Sequence, residues 1–109
     1  MHEMSIARNI VAICSERAAG ARVRRVTMEI GALSAVLPDS LQFCFPICAQ
    51  GTPLEGAALR IVEVAGEAVC SDCGASVALH EIFGICDCGS RKLRIVAGDG
   101  IRIKEMEVA

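Results

Sequence analysis

Seven cysteines stand in a chain of 109 residues, and four of them are grouped. Cys70-Ser71-Asp72-Cys73-Gly74 is one pair and Cys86-Asp87-Cys88-Gly89 the other, with twelve residues between Cys73 and Cys86. Four thiolates at such spacing suit a tetrahedral ion, and zinc takes that geometry with sulfur ligands. A glycine after each pair lets the backbone curl so that its amides point at sulfur and stabilise the negative charge. The second pair is C-x-C, which chelates with a tighter ring than C-x-x-C. His80 lies between the pairs and is the substitute donor if that ring fails. Iron is the other ion that four thiolates hold. Thiol–disulfide exchange fits less well, because neither pair opens a helix in a βαβ pattern, where a low thiol pKa arises. Cys14, Cys44 and Cys48 fall on apolar helix faces and read as small buried hydrophobes. Cys44 and Cys48 are one turn apart, so a metal pair is their alternative, but the Phe43 to Ile47 surroundings favour core.

A second group is Met1-His2-Glu3. A bulky second residue keeps the initiator Met in place. The α-amine, the His2 backbone nitrogen and the His2 imidazole can then chelate one ion, and Glu3 adds its amide nitrogen or its carboxylate. Near-planar nitrogen donation suits Ni(II) or Cu(II). Such binding displaces protons and weakens as pH falls. On residue chemistry alone, the competing reading is a histidine with no role. Asp39 is either an extra oxygen ligand or a helix cap.

These groups need a scaffold. Met4 to Ala19 has helical apolar spacing at Ala7, Val11, Cys14 and Ala18, and Gly20 stops it. Val26, Met28 and Ile30 alternate with Arg25, Thr27 and Glu29 as a half-buried strand. Pro38-Asp39-Ser40 opens a helix over Ser40 to Gln50, with Pro46 inside it. Leu59 to Val64 is a strand apolar enough to be central. From Glu67 to Lys92 the chain turns rich in Cys and Gly. Leu93 to Val96 resumes strand character, Gly98-Asp99-Gly100 signals a hairpin turn, and Ile101 to Val108 is the last strand, with a phase shift between Ile103 and Met106 that suits a bulge. The expected fold class is α/β (α+β): a small mixed sheet with two helices, plus an inserted zinc-ribbon-like module. Residues 1–66 and 97–109 form the first domain and residues 67–96 the second.

Composition narrows the function. The formal charge of −2 lacks the basic surplus that phosphate binding demands, so no nucleic-acid partner is expected. No apolar run is long enough for a bilayer and no leader precedes the helix, so the expected location is cytoplasmic, without a membrane partner. An odd cysteine count argues against a fully paired disulfide framework. No nucleophile, base and orienter set points to an enzyme.

Taken together, the opening Met1-His2-Glu3-Met4-Ser5, the run Met28-Glu29-Ile30-Gly31 with Leu33-Ser34, Pro38-Asp39-Ser40-Leu41 with Phe45, and Cys70-x-x-Cys73-Gly74 resemble the HypA/HybF hydrogenase maturation nickel metallochaperones. Cys86, Cys88-Gly89-Ser90 and the closing Gly98-Asp99…Ile101…Lys104…Glu107 extend the resemblance over essentially the whole chain. It implies a domain that carries Ni(II) through His2, with Glu3 beside it, and structural Zn(II) on Cys70, Cys73, Cys86 and Cys88. It also implies delivery of nickel with a GTPase to the large subunit of [NiFe]-hydrogenase, by a monomer or homodimer; some relatives serve urease. The family's second pair is C-x-x-C, one residue longer than here. The alternative is a zinc-ribbon module that binds protein or nucleic acid and has no nickel function.

Overall fold

The computed structural model describes residues 2–109, with the side chain of His2 outside that description. Helix α1 (His2–Ala18) places Glu3 in its first turn and Arg17 in its last, each complementing the helix dipole. Ala7, Ile10, Val11, Cys14 and Ala18 form its buried stripe. Ala19 and Gly20, both at positive φ, turn the chain out of the helix. Strand β1 (Val23–Gly31) follows, longer at both ends than the expected Arg25 to Ile30.

Helix α2 (Pro38–Ala49) starts two residues earlier than the expected Ser40, because Leu37 is the N-cap and Pro38 already sits in the first turn. Proline suits that position, where its missing N–H would have no helical partner. Leu41, Cys44, Phe45 and Ala49 are the buried face of α2, and α1 packs against α2. Pro46 lies inside α2 on its exposed side.

Strand β2 (Ala58–Val64) pairs with β1, and β6 (Ile101–Val108) flanks β1 on the other side. The expectation that β2 is central fails: β1 holds the middle, and β2 is an edge with Ala58, Arg60 and Glu63 exposed. A second sheet has the order β4-β3-β5, from β3 (Gly66–Cys70), β4 (Ser76–Leu79) and β5 (Leu93–Ala97). Both β4 and β5 run antiparallel to β3. The hairpin expected at Gly98–Gly100 is absent, since β5 belongs to this second sheet and β6 to the first. Gly98 and Gly100 instead accept from the amides of Leu33 and Gly31.

The chain divides into two compact units. Unit 1 comprises Met1–Glu29, Val36–Val62 and Arg102–Ala109. Its core is aliphatic apart from Phe45, with Val26, Met28, Leu41 and Leu54 fully enclosed. Arg25 with Glu107 and Arg102 with Glu29 form ion pairs, each at 2.7 Å. Unit 2 comprises Ile30–Ala35 and Glu63–Ile101. Its core is small: Leu33, Ala68 and Leu79, bordered by Val77, Leu93 and Ile95. Two backbones cross closely here, for a Cβ on Gly31 would collide with the Gly98 carbonyl. Among the described residues no helix is long and apolar enough to cross a membrane.

Candidate metal centre

The two cysteine loops are built alike. After β3, the Gly74 amide donates to the Cys70 carbonyl at 2.8 Å and the Cys70 amide donates to the Ala75 carbonyl at 2.9 Å. In the second loop the Gly89 amide donates to the Cys86 carbonyl at 2.8 Å, and the Cys86 amide to the Ser90 carbonyl at 2.9 Å. Gly74 and Gly89 both have positive φ, near 80° and 90°, which is what lets each loop turn back at this tightness. The shortened second pair therefore still forms a closed loop. Ser90, which sequence reasoning did not assign a role, ties the loops together. Its Oγ donates to the Asp72 carboxylate at 2.6 Å and accepts from the Lys92 amide at 3.0 Å.

The four thiols converge. Cys70 Sγ lies 3.7 Å from Cys88 Sγ, Cys73 Sγ lies 3.5 Å from Cys86 Sγ, and all four sulfurs fall within 4.8 Å of one another. Sulfurs bound at roughly 2.3 Å to a tetrahedral ion stand about 3.8 Å apart, so the cluster has the size of a metal cage. Cys70 and Cys86 are buried, while Cys73 and Cys88 reach the surface. His80 is exposed and is not part of the cluster.

Crowding sets the thiol acidities against each other. Main-chain amides of Cys73 and then Asp72, helped by the Cys88 and Cys73 thiols, overcome burial and bring Cys70 down to about 6. At Cys88 the Ser90 amide pulls downward, but Cys70, Cys86 and Cys73 outweigh it and push the thiol up to about 12. Cys73 is likewise raised: the Ala75 amide favours the thiolate, and Cys86 and Cys70 oppose it. Without a cation, the first thiolate blocks ionisation of its neighbours. A bound cation would supply the charge that removes the conflict.

Of the N-terminal group, the α-amine and the His2 imidazole lie outside the described residues. Glu3 is 8% exposed, and its Oε2 accepts from the Leu37 amide at 3.0 Å. That bond, followed by one from its own amide, holds the Glu3 carboxyl below the usual range. The carboxylate thus ties the first turn of α1 to the N-cap of α2, a contact that the sequence did not reveal. Glu3, Met4, Asp39, Ser40, Phe43 and Cys44 line a recess of about 460 Å³. Asp39 sits in the first turn of α2 rather than at its cap. Cys14 and Cys44 are buried as expected, and burial pushes the Cys14 thiol up. Cys48 is only half-buried, and its Sγ lies 3.4 Å from Met4 Sδ.

Comparison with known proteins adds independent findings. Residues 1–108 match the family described as hydrogenase/urease nickel incorporation, metallochaperone, hypA. The hydrogenase maturation factor HypA of Trichormus variabilis is 57% identical over 108 residues, covering 99% of this chain and 96% of its own. That of Geobacter metallireducens is 47% identical over 109 residues, covering 99% of each. The solution structure of the Ni metallochaperone HypA from Helicobacter pylori superposes with a TM-score of 0.70 at 27% identity, over 97% of this chain and 96% of that one. A second solution structure of a HypA protein gives a TM-score of 0.74 at 28% identity, over 100% of this chain and 97% of that one.

Proposed function

The chain belongs to the HypA family of hydrogenase/urease nickel-incorporation metallochaperones, and from that membership we propose that it binds Ni(II) at its N-terminus and delivers it during [NiFe]-hydrogenase maturation. The observation that carries this reading is the extent of the family match, which takes in both the Met1-His2-Glu3 opening and the four-cysteine cluster. Nickel is cargo here, and no catalytic step is proposed.

The donor chemistry divides the labour. Cys70, Cys73, Cys86 and Cys88 would hold Zn(II) as a structural ion, because four sulfurs leave no open coordination position. Nickel is assigned to the α-amine, to the backbone and imidazole nitrogens of His2, and to Glu3. Glu3 offers its main-chain nitrogen or its carboxylate, the latter also held by the Leu37 amide. Ligands at a chain end exchange stepwise with an acceptor, which suits delivery. The reading includes a nickel-binding domain of residues 1–66 and 97–109 around a zinc-binding insertion of residues 67–96. Its partners are a nickel-insertion GTPase and the hydrogenase large subunit, met in the cytoplasm by a monomer or homodimer.

The test is metal analysis and nickel titration of untagged chain, beside His2→Ala. The expected result is one zinc retained through purification and one nickel bound, with the nickel lost in His2→Ala and the zinc kept. Zinc with no His2-dependent nickel would overturn delivery and leave a zinc-ribbon binding module.

A further inference from the structure

Two sulfur side chains outside the four-cysteine cluster, those of Met4 and Cys48, meet where α1 packs on α2. Cys48 Sγ lies 3.4 Å from Met4 Sδ, and the next contact of that thiol, with the Met4 carbonyl, is longer at 3.9 Å. Cys44 precedes Cys48 by four residues on α2, which places both on one helix face. Met4 shares the wall of one recess with Cys44 and the wall of another, of about 450 Å³, with Cys48. The sulfurs of Met4 and Cys48 therefore converge beside a recess wide enough to admit an ion.

We propose that Met4 and Cys48, with Cys44 as third donor, form a metal site that takes a soft monovalent cation, Cu(I). A neutral thioether beside a thiolate is a poor match for hard or borderline ions and a good one for Cu(I). Two sulfurs bound at roughly 2.3 Å in a trigonal site stand about 4 Å apart. The observed pair need open by only about half an ångström, which the three rotatable bonds of Met4 allow. Binding exchanges the Cys48 thiol proton for the cation and needs no oxidant. The site is separate from the thiolate cage, so the chain would take copper without giving up the ion in that cage.

The test uses the full chain, reduced and zinc-loaded, titrated anaerobically with Cu(I) buffered by bathocuproine disulfonate, while released zinc is followed with a dye. The expected result is one Cu(I) taken up with no zinc released. Met4→Leu, a volume-conserving change, should weaken that uptake by tenfold or more, which is about 1.4 kcal/mol. Cys48→Ser should abolish it, and X-ray absorption of the copper form should show sulfur ligands alone. Copper uptake matched mole for mole by zinc release would overturn the proposal. So would uptake unchanged in Met4→Leu and Cys48→Ser, which would place the ion at the N-terminus. If Cys48→Ser fails to fold, Met4→Leu decides alone.

Discussion

At the residue scale, Ser90 and Asp72 show how a thiolate cage depends on groups that bind no metal. The Ser90 hydroxyl spans the two cysteine loops, beside a main-chain bond from the Ser71 amide to the Lys92 carbonyl at 2.8 Å. Ser90→Ala should lower zinc affinity by about 10- to 100-fold, the usual cost of losing an outer-shell partner, with stoichiometry unchanged. A chelator competition assay reads both quantities. The thiol acidities give a second expectation. Above about 6 Cys70 is already a thiolate, while Cys73 and Cys88 hold their protons. Zinc must displace at least those two, so its affinity should fall at least about hundredfold per pH unit lost near neutrality, and more steeply once Cys70 also takes up a proton. Affinity measured from pH 8 down to 5.5, corrected for chelator protonation, would show a flat profile if the thiols were already ionised. The four cysteines were legible because local spacing announces them. The uses of Ser90 and Glu3 were not, since their partners lie 18 and 34 residues away. Glu3 reads as a ligand by its place beside His2, and its carboxylate also accepts a main-chain bond. Glu3→Ala should therefore lower Tm even in nickel-free protein, whereas a residue that served only as a ligand would leave that Tm unmoved.

At the scale of elements, both helices and strands β1, β2, β5 and β6 were readable from apolar periodicity, but β3 and β4, inside the cysteine-rich run, were not, and neither were the strands' partners. Gly98-Asp99-Gly100 carries hairpin chemistry, and local turn propensity cannot tell whether the next strand pairs with the last one. Here β1 and β3 recruit β6 and β5 into different sheets, and the glycines serve the crossing of Gly98 past Gly31 instead. Gly98→Ala should cost about 3 kcal/mol or more, because it combines a positive φ with a collision against the Ala65 backbone. Equilibrium urea unfolding measures that loss. Helix α2 offers the opposite case. Pro46 removes one helical hydrogen bond in the middle of α2, and its side faces solvent. Proline in a helix interior is about 3 kcal/mol worse than alanine in a free helix, although a fold built around the proline recovers part of this. Pro46→Ala should thus stabilise the chain by about 1 kcal/mol, which for a chain of this size raises Tm by about 4 °C. No gain in thermal unfolding would mean that the backbone geometry Pro46 imposes is needed for α2 to pack on α1.

For the molecule as a whole, the two units differ in what can hold them together. Unit 1 encloses Phe45, Met28, Leu41 and Leu54 between two helices and a sheet, an aliphatic core that needs no ion. Unit 2 has Leu33, Ala68 and Leu79, a core too small to offset the entropy of ordering its loops. Four thiols gathered within 4.8 Å add to that problem unless a cation joins them. Structural zinc in small peptides supplies about 10–16 kcal/mol of apparent binding energy, a large addition to so small a core. Removal of the ion by a strong chelator should therefore not melt the chain uniformly. Amides of β3 and β4, Ala68 and Val77 among them, should lose most of their hydrogen-exchange protection. Those along the buried faces of α1 and α2 should keep theirs. The chain passes between the units four times, at Glu29, Ala35, Val62 and Ile101, so some loss at the ends of β1, β2 and β6 should accompany the change. Hydrogen exchange followed peptide by peptide, with and without chelator, distinguishes the cases. Selective loss in unit 2 would make its ion a folding element of that unit alone. Equal loss in both would mean that the metal stabilises one cooperative fold, and that its removal reaches helices α1 and α2.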